Sequence, residues 1–282
     1  MKKKSMLIVA MMAFGMTMSA AELTVVSTEK IGLSEDAHHP ILSPEGDVVL
    51  FTKPDYKGLK SLNLVTNEVK VISESAESGF EPIFSTDGKE ISFKTVLEKD
   101  GLKYRDVKRY NLNSENQEQI IAPSRNLVNP CALVNKTYAI AKADEQAISI
   151  SIDGDVKKIN PIKEGHRYIW TSISPSKGKL MFNEIYTGLY ISELDGTKAQ
   201  HLAMRADFPC WAGDNFVIAI STKDDGYVIT SAKVISINIA TKEVMELTTD
   251  DVLVAGVTAT ADKIIYTTEE GEMYVMNIKI TE

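Results

Sequence analysis

The chain has 282 residues, a formal net charge of −8 and 44% hydrophobic residues, enough to bury a sizeable core. Its acidity argues against a nucleic-acid partner and against electrostatic attachment to an anionic membrane. Two cysteines and four histidines give neither a disulfide-built scaffold nor a spaced Cys/His set for a structural metal, so no metal or other cofactor is expected.

Residues 1–21 read as a signal peptide. Lys2, Lys3 and Lys4 make a basic start, residues 6–18 form an apolar run too short to span a bilayer with a margin, and Ser19-Ala20-Ala21 fits a small-x-small cleavage site. A mature chain beginning at Glu22 keeps 28 Lys+Arg against 39 Asp+Glu, a net charge of −11. No cysteine for a lipid anchor lies near the junction, and no later apolar stretch reaches spanning length. The expectation is a soluble, exported monomer, periplasmic or secreted, with no membrane span.

From residue 22 onward one phrase returns six times: HPILSPEGDVVLF at His39, EPIFSTDGKEISF at Glu81, NPCALVNKTYAIA at Asn129, WTSISPSKGKLMF at Trp170, FPCWAGDNFVIAI at Phe208 and VAGVTATADKIIY at Val254. Anchored at Pro40, Pro82, Pro130, Thr171, Pro209 and Ala255, the intervals are 42, 48, 41, 38 and 46 residues. These match the roughly 40–45-residue blade of a β-propeller. Each phrase supplies an apolar run, a turn such as Ser43-Pro44-Glu45-Gly46, and a strand with period-2 alternation. In that strand Val49 and Phe51, Ile91 and Phe93, and Leu180 and Phe182 share one face and should pack between blades.

A third strand follows at 61–65, 109–113, 149–152, 190–194, 234–239 and 273–280, and an outer strand at 69–73, 119–122, 156–160, 199–203 and 244–248. The sixth period lacks its outer strand, while ELTVVST from Glu22 stands unassigned before the first. The fold expected is all-β: one six-bladed propeller over residues 22–282, four antiparallel strands per blade, closed by the N-terminal strand on the last blade. Cys131 and Cys210 follow equivalent anchor prolines in non-adjacent blades, too far apart to bridge, and read as two buried thiols.

The phrases SPEGDVVLF, STDGKEISF and SPSKGKLMF resemble the TolB-like β-propeller repeat, a WD-like propeller repeat family that includes the propeller of periplasmic TolB and those of prolyl-oligopeptidase-type peptidases. The likeness covers essentially the whole mature chain, without the N-terminal α/β domain of TolB or a hydrolase domain. It weakens in the third and sixth blades, where Val134-Asn135-Lys136 and Ala259-Thr260-Ala261 replace the turn. The resemblance implies a six-bladed scaffold often used to bind proteins, and it transfers fold more safely than function.

No GxSxG, HExxH, P-loop or GxGxxG pattern is present, so no catalytic residue is assigned. The segment before each anchor should line the channel mouth, giving a rim of Asp36, His38, His39, Glu81, Asn129, His166, Arg167, Arg205 and Asp207. A polar rim is a default binding candidate, and it is equally what any water-lined channel requires. The longest periods, in blades 2 and 5, place extra residues at 94–108 and 221–233. These loops should rise on the rim's face and carry Tyr104, Arg105, Asp224, Asp225 and Tyr227, unless they are merely longer solvated hairpins.

The function read from the sequence is a non-enzymatic scaffold binding a protein or peptide partner of the cell envelope through the channel face. The alternative is a channel-centred enzyme of the oligosaccharide-lyase type acting on an anionic saccharide, with His39, Glu81 and His166 as its polar core. A third is a module working with a separate catalytic subunit.

Overall fold

A serine opens the turn between the first two strands of blades 1, 2 and 4, and it explains why the repeated phrase folds as it does. Ser43 Oγ accepts the amides of Asp47 and Val48 at 3.2 and 3.0 Å, Ser85 Oγ accepts that of Glu90 at 3.0 Å, and Ser174 Oγ accepts those of Gly178 and Lys179 at 3.1 and 3.0 Å. Each side chain thus satisfies turn amides that the ladder cannot. Gly46 sits at φ +71°, where a side chain would be strained.

The computed structural model describes residues 20–125, 130–141, 145–163 and 165–282. The expected signal-peptide residues 1–19 and the expected rim residue Asn129 lie outside them. The chain is all-β, a six-bladed propeller built on four antiparallel strands per blade with almost no helix. Blade 1, for example, runs His38–Leu42, Val48–Thr52, Leu59–Asn63 and Val69–Ser73.

Blade 3 varies the plan. Its regular strands are Tyr138–Ala141, Ile148–Ile152 and Asp155–Ile159, and the segment corresponding to an inner strand contains a helical turn, Cys131–Val134. Pro130 takes a helical φ of −61° before it, and Asn135 after it ties the segment to blade 2. Asn135 Nδ2 donates to the Phe84 carbonyl at 3.1 Å, and its Oδ1 accepts from Thr86 at 2.8 Å.

The ring closes as the missing outer strand implies. Glu22–Ile31 pairs antiparallel with Met273–Thr281, Leu23 opposite Ile280 and Ile31 opposite Met273, with an irregularity between Val25 and Ser27. The strand is longer than the seven-residue ELTVVST because Glu29, Lys30 and Ile31 continue the ladder.

The core lies between blades, as the alternation requires. Val49, Phe51 and Leu62 pack with Ile265 and Met273 of blade 6, whereas Leu50 and Leu59 pack with Phe84, Ile91 and Phe93 of blade 2. Blades 3 and 4 share Ile148, Ile150, Tyr168, Leu180 and Phe182. The second strands of blades 1, 2, 4, 5 and 6 therefore bury both faces, whereas Tyr138–Ala141 of blade 3 is only half-buried.

Residues 94–108 and 221–233 form extended ribbons rather than irregular loops. Glu90–Lys99 pairs with Leu102–Asn111 along its whole length, and Phe216–Asp224 with Ile229–Asn238. At the first tip Asp100 and Gly101 both have positive φ, 55° and 73°, the turn whose twist lets a two-residue hairpin continue its ladder. The third strands of these blades consequently start well before the sequence pattern suggests.

Candidate functional site

The four inner strands of blades 1, 4, 5 and 6 begin at one end of the ring, where His38 lies opposite Thr52, Tyr168 opposite Glu184, Asp207 opposite Ile220 and Val254 opposite Thr268. The register shifts just inside each start, between His38 and Ile41, Ile169 and Ser172, Asp207 and Cys210, and Val254 and Gly256. At this break the residue before the anchor has positive φ: His39 at 52°, Trp170 at 48° and Phe208 at 52°, with Glu81 of blade 2 at 51°. Such a backbone costs a non-glycine residue about 1–3 kcal/mol and re-aims its side chain out of the pleat. In blade 6 the irregularity falls at the anchor Ala255 itself, before Gly256, whose missing Cβ would stand 2.7 Å from Pro40 Cδ. Glycine there lets the first and last inner strands meet.

This periodicity adds two residues to the mouth. Trp170 and Phe208 stand where His39 and Glu81 stand, so this repeat position is polar in blades 1 and 2 and aromatic in blades 4 and 5. Both rings were present in the repeated phrase, immediately before the anchor. Their alignment with His39 and Glu81 was the available signal.

At blades 1 and 2, His39 stacks on Tyr56 with centroids 4.0 Å apart and its Nε2 meets the Pro54 carbonyl at 3.2 Å; Tyr56 stands edge-on to Phe80. Burial lowers the pKa of His39 against that hydrogen bond, and lowers that of His38 against the nearby charge of Asp36. Asp36 is exposed and packs beside Gly271 in the hairpin of blade 6. Lys94, 8% exposed, places its ammonium 4.5 Å from the centre of the Phe80 ring and 4.0 Å from Glu81. Desolvation lowers its pKa despite the carboxylates of Glu81 and Glu77. Arg105 forks onto Glu77 at 2.5 and 2.9 Å, which holds the Glu77 carboxyl below its usual range. The expected loop residue Arg105 is thereby committed to its own blade, and Tyr104 beside it is half-buried.

At blade 4, Glu184 is fully buried. Its Oε2 accepts from the Thr187 hydroxyl at 2.5 Å, the Thr187 amide at 2.7 Å and the Tyr186 amide at 3.1 Å, and its Oε1 faces His166 Nδ1 at 3.3 Å. Burial alone would raise its pKa, but the Thr187 donors, His166 and the Tyr186 amide outweigh that and lower it. Arg167 is exposed, and its carbonyl accepts the Ile185 amide at 3.1 Å. At blade 5, Arg205 pairs with Asp224 at 3.1 Å, while Asp207 accepts from Thr222 at 3.2 Å. Asp225 caps its own hairpin turn by accepting the amides of Tyr227 and Val228. Tyr227 is 96% exposed at the tip.

The described rim and ribbon residues thus lie at one end of their strands but are engaged in separate pairs. His39, Glu81 and His166 each have a different principal neighbour, respectively Tyr56, Lys94 and Glu184. Among the described residues no three His, Cys, Asp or Glu side chains converge to hold a metal ion.

The surface signal on this face is apolar. Of the nineteen exposed large hydrophobic residues among the described residues, ten lie on its loops, hairpins or rim, including all four aromatics, Phe80, Tyr186, Phe208 and Tyr227. Seven others lie on outer strands, which leaves Val65 and Leu133. The opposite face, built from turns such as Ser43 to Gly46 and Asp195-Gly196, contributes Val65.

Solved structures with the same architecture include a protein assigned as a TolB from Agrobacterium tumefaciens, with TM-score 0.55 and 14% identity over 93% of this chain and 99% of that one. TolB from Acinetobacter baumannii gives 0.51 and 12% over 89% of this chain and 58% of that one. The chain has the TolB-like propeller fold. An oligogalacturonate lyase from Vibrio parahaemolyticus shares it too, with TM-score 0.51 and 13% identity over 88% of this chain and 79% of that one. No protein-family model matches the chain, and no curated protein matches it. Among the described residues no helix is long and apolar enough to cross a membrane.

Proposed function

We propose that this protein is exported and acts, as a non-enzymatic monomer, by binding a protein or peptide partner of the cell envelope through the channel face of its TolB-like propeller. The concentration of exposed apolar and aromatic side chains on that face carries the reading. Aromatic side chains with nearby arginines are the usual anchors of protein interfaces, and exposed apolar clusters on a soluble domain mark contact sites. Two hairpin ribbons on a rigid ring supply adaptable walls on the same face. Export rests on the basic, apolar and small-residue pattern of residues 1–21.

A photo-crosslinking residue placed at Tyr227 or Phe208, in tagged protein produced with its own leader, should capture one specific partner, while the same residue at Val65 on the opposite face should not. Sequencing the purified envelope protein should give an N-terminus at Glu22. Specific capture only from position 65 would sink the assignment of the face, and an N-terminus at Met1 would sink export.

A further inference from the structure

Several exposed apolar side chains of blades 4 and 5 are carried on adjoining segments. Tyr186 and Met204 are 78% and 68% exposed, and their segments abut at Gly188, where a Cβ would stand 2.3 Å from the Ala203 carbonyl and 2.8 Å from Met204 Cα. The Asn183 side chain donates to the Ala206 carbonyl at 3.2 Å, fixing the loop that carries Met204 and Arg205 beside the second strand of blade 4. Phe208 then reaches Trp170 across the blade boundary, with centroids 5.1 Å apart.

Among the described charges that border this patch, the exposed one without an ion pair is a cation. Glu184 lies beneath it but is fully buried and turns its Oε2 to the amides and hydroxyl of residues 186 and 187. Asp207 accepts from Thr222, and Asp224 pairs with Arg205. Arg167 is exposed next to Ile185 and has no ion pair among the described residues. In a chain with a net charge of −8, an uncommitted guanidinium beside aromatic surface is a local contrast, and its planar fork suits a carboxylate.

We propose that this patch docks an apolar peptide segment carrying a carboxylate, with the apolar side chains on Tyr186, Met204, Phe208 and Trp170 and the carboxylate on Arg167. The site presupposes the channel-face docking proposed above and names the chemistry of its partner. Burying large apolar groups around a peripheral charge pair combines affinity with orientation, since the pair fixes which end of the segment meets blade 4.

The test uses two fluorescein-labelled peptides of about twelve residues, matched in Trp and Leu content, one carrying glutamates and the other lysines. Fluorescence anisotropy at low ionic strength should show the glutamate peptide binding about tenfold more tightly, with Arg167→Glu reversing the order. Tyr186→Ser with Met204→Ser should weaken the glutamate peptide about tenfold, and both sites are exposed enough to leave the fold intact. Equal binding of the lysine peptide, an unaltered preference in Arg167→Glu, or no saturation by the glutamate peptide at about 1 mM would overturn the site. Partner crosslinks from Tyr227 in the face of such a failure would remove this site alone, whereas crosslinks confined to Val65 would remove channel-face docking itself.

Discussion

Trp170 and Phe208 occupy the same position in adjacent blades, both at positive φ, and their rings meet at 5.1 Å. Their shared conformation is one that glycine adopts freely and other residues adopt at a cost of about 1–2 kcal/mol. Phe208→Gly should therefore be more stable than Phe208→Ala by about 1 kcal/mol, although it removes the same ring. Urea midpoints of the two variants check this, and a glycine variant less stable than the alanine variant would contradict the strain assigned to the bulge.

Leu23 lies opposite Ile280 and packs, almost fully buried, with Phe216, Ile264 and Tyr266 of the last two blades. Leu23→Ala should cost about 2–5 kcal/mol, as for other buried leucines. Removing residues 22–31 should do more, because it opens the edge of Met273–Thr281 to self-association. Chemical denaturation and sedimentation of the truncated protein measure the two effects.

Most of the fold was legible because each blade repeats the same physical problem. Phe51, Phe93 and Phe182 had to lie between blades once period-2 alternation was recognised, and the absent sixth outer strand pointed to Leu23. The rim was less legible. A polar-residue criterion selected Arg167, Arg205 and Asp207 but passed over Trp170 and Phe208, because aromatic residues in a strand normally signal core. Their outward aim depends on a bulge, a local φ that composition does not reveal. Lys94 was hidden for a related reason: an alternating strand predicts its side, while its contact with Phe80 depends on the neighbouring loop.

Glu184 makes stability pH-dependent with a defined sign. Its folded pKa is lowered, so the carboxylate contributes stability above its unfolded pKa and loses that contribution as pH falls through the folded value. In Glu184→Gln the stability deficit relative to wild type should be largest near about pH 7 and shrink toward about pH 3. Urea denaturation across that range tests the slope, and a constant deficit would show that the role of Glu184 is packing rather than charge.

Cys131 and Cys210 are both unlinked, and burial pushes their thiols up to about 11 and about 12. At about pH 8 neither holds much thiolate, so native protein should react slowly with an aromatic disulfide reagent. Denatured without reductant, it should release two equivalents promptly. Fast reaction of the native protein would place at least one thiol outside the environment described.

Tyr227 at the tip of one ribbon and Tyr104 on the other separate docking from stability. Tyr227 is almost wholly exposed and Tyr104 half-buried, whereas Phe93 at the base of the same second ribbon is fully buried between blades. Tyr104→Ala with Tyr227→Ala should weaken partner capture while moving the melting temperature little, since a true interface anchor costs roughly 2 kcal/mol or more when truncated. Phe93→Ala should instead lower stability by about 3–5 kcal/mol through a core cavity. Because the ribbons and the aromatic rim share one face, the double variant and Phe208→Gly should weaken capture of the same partner. Full capture by both variants, with Val65→Ser abolishing it, would move the working face to the opposite side of the ring.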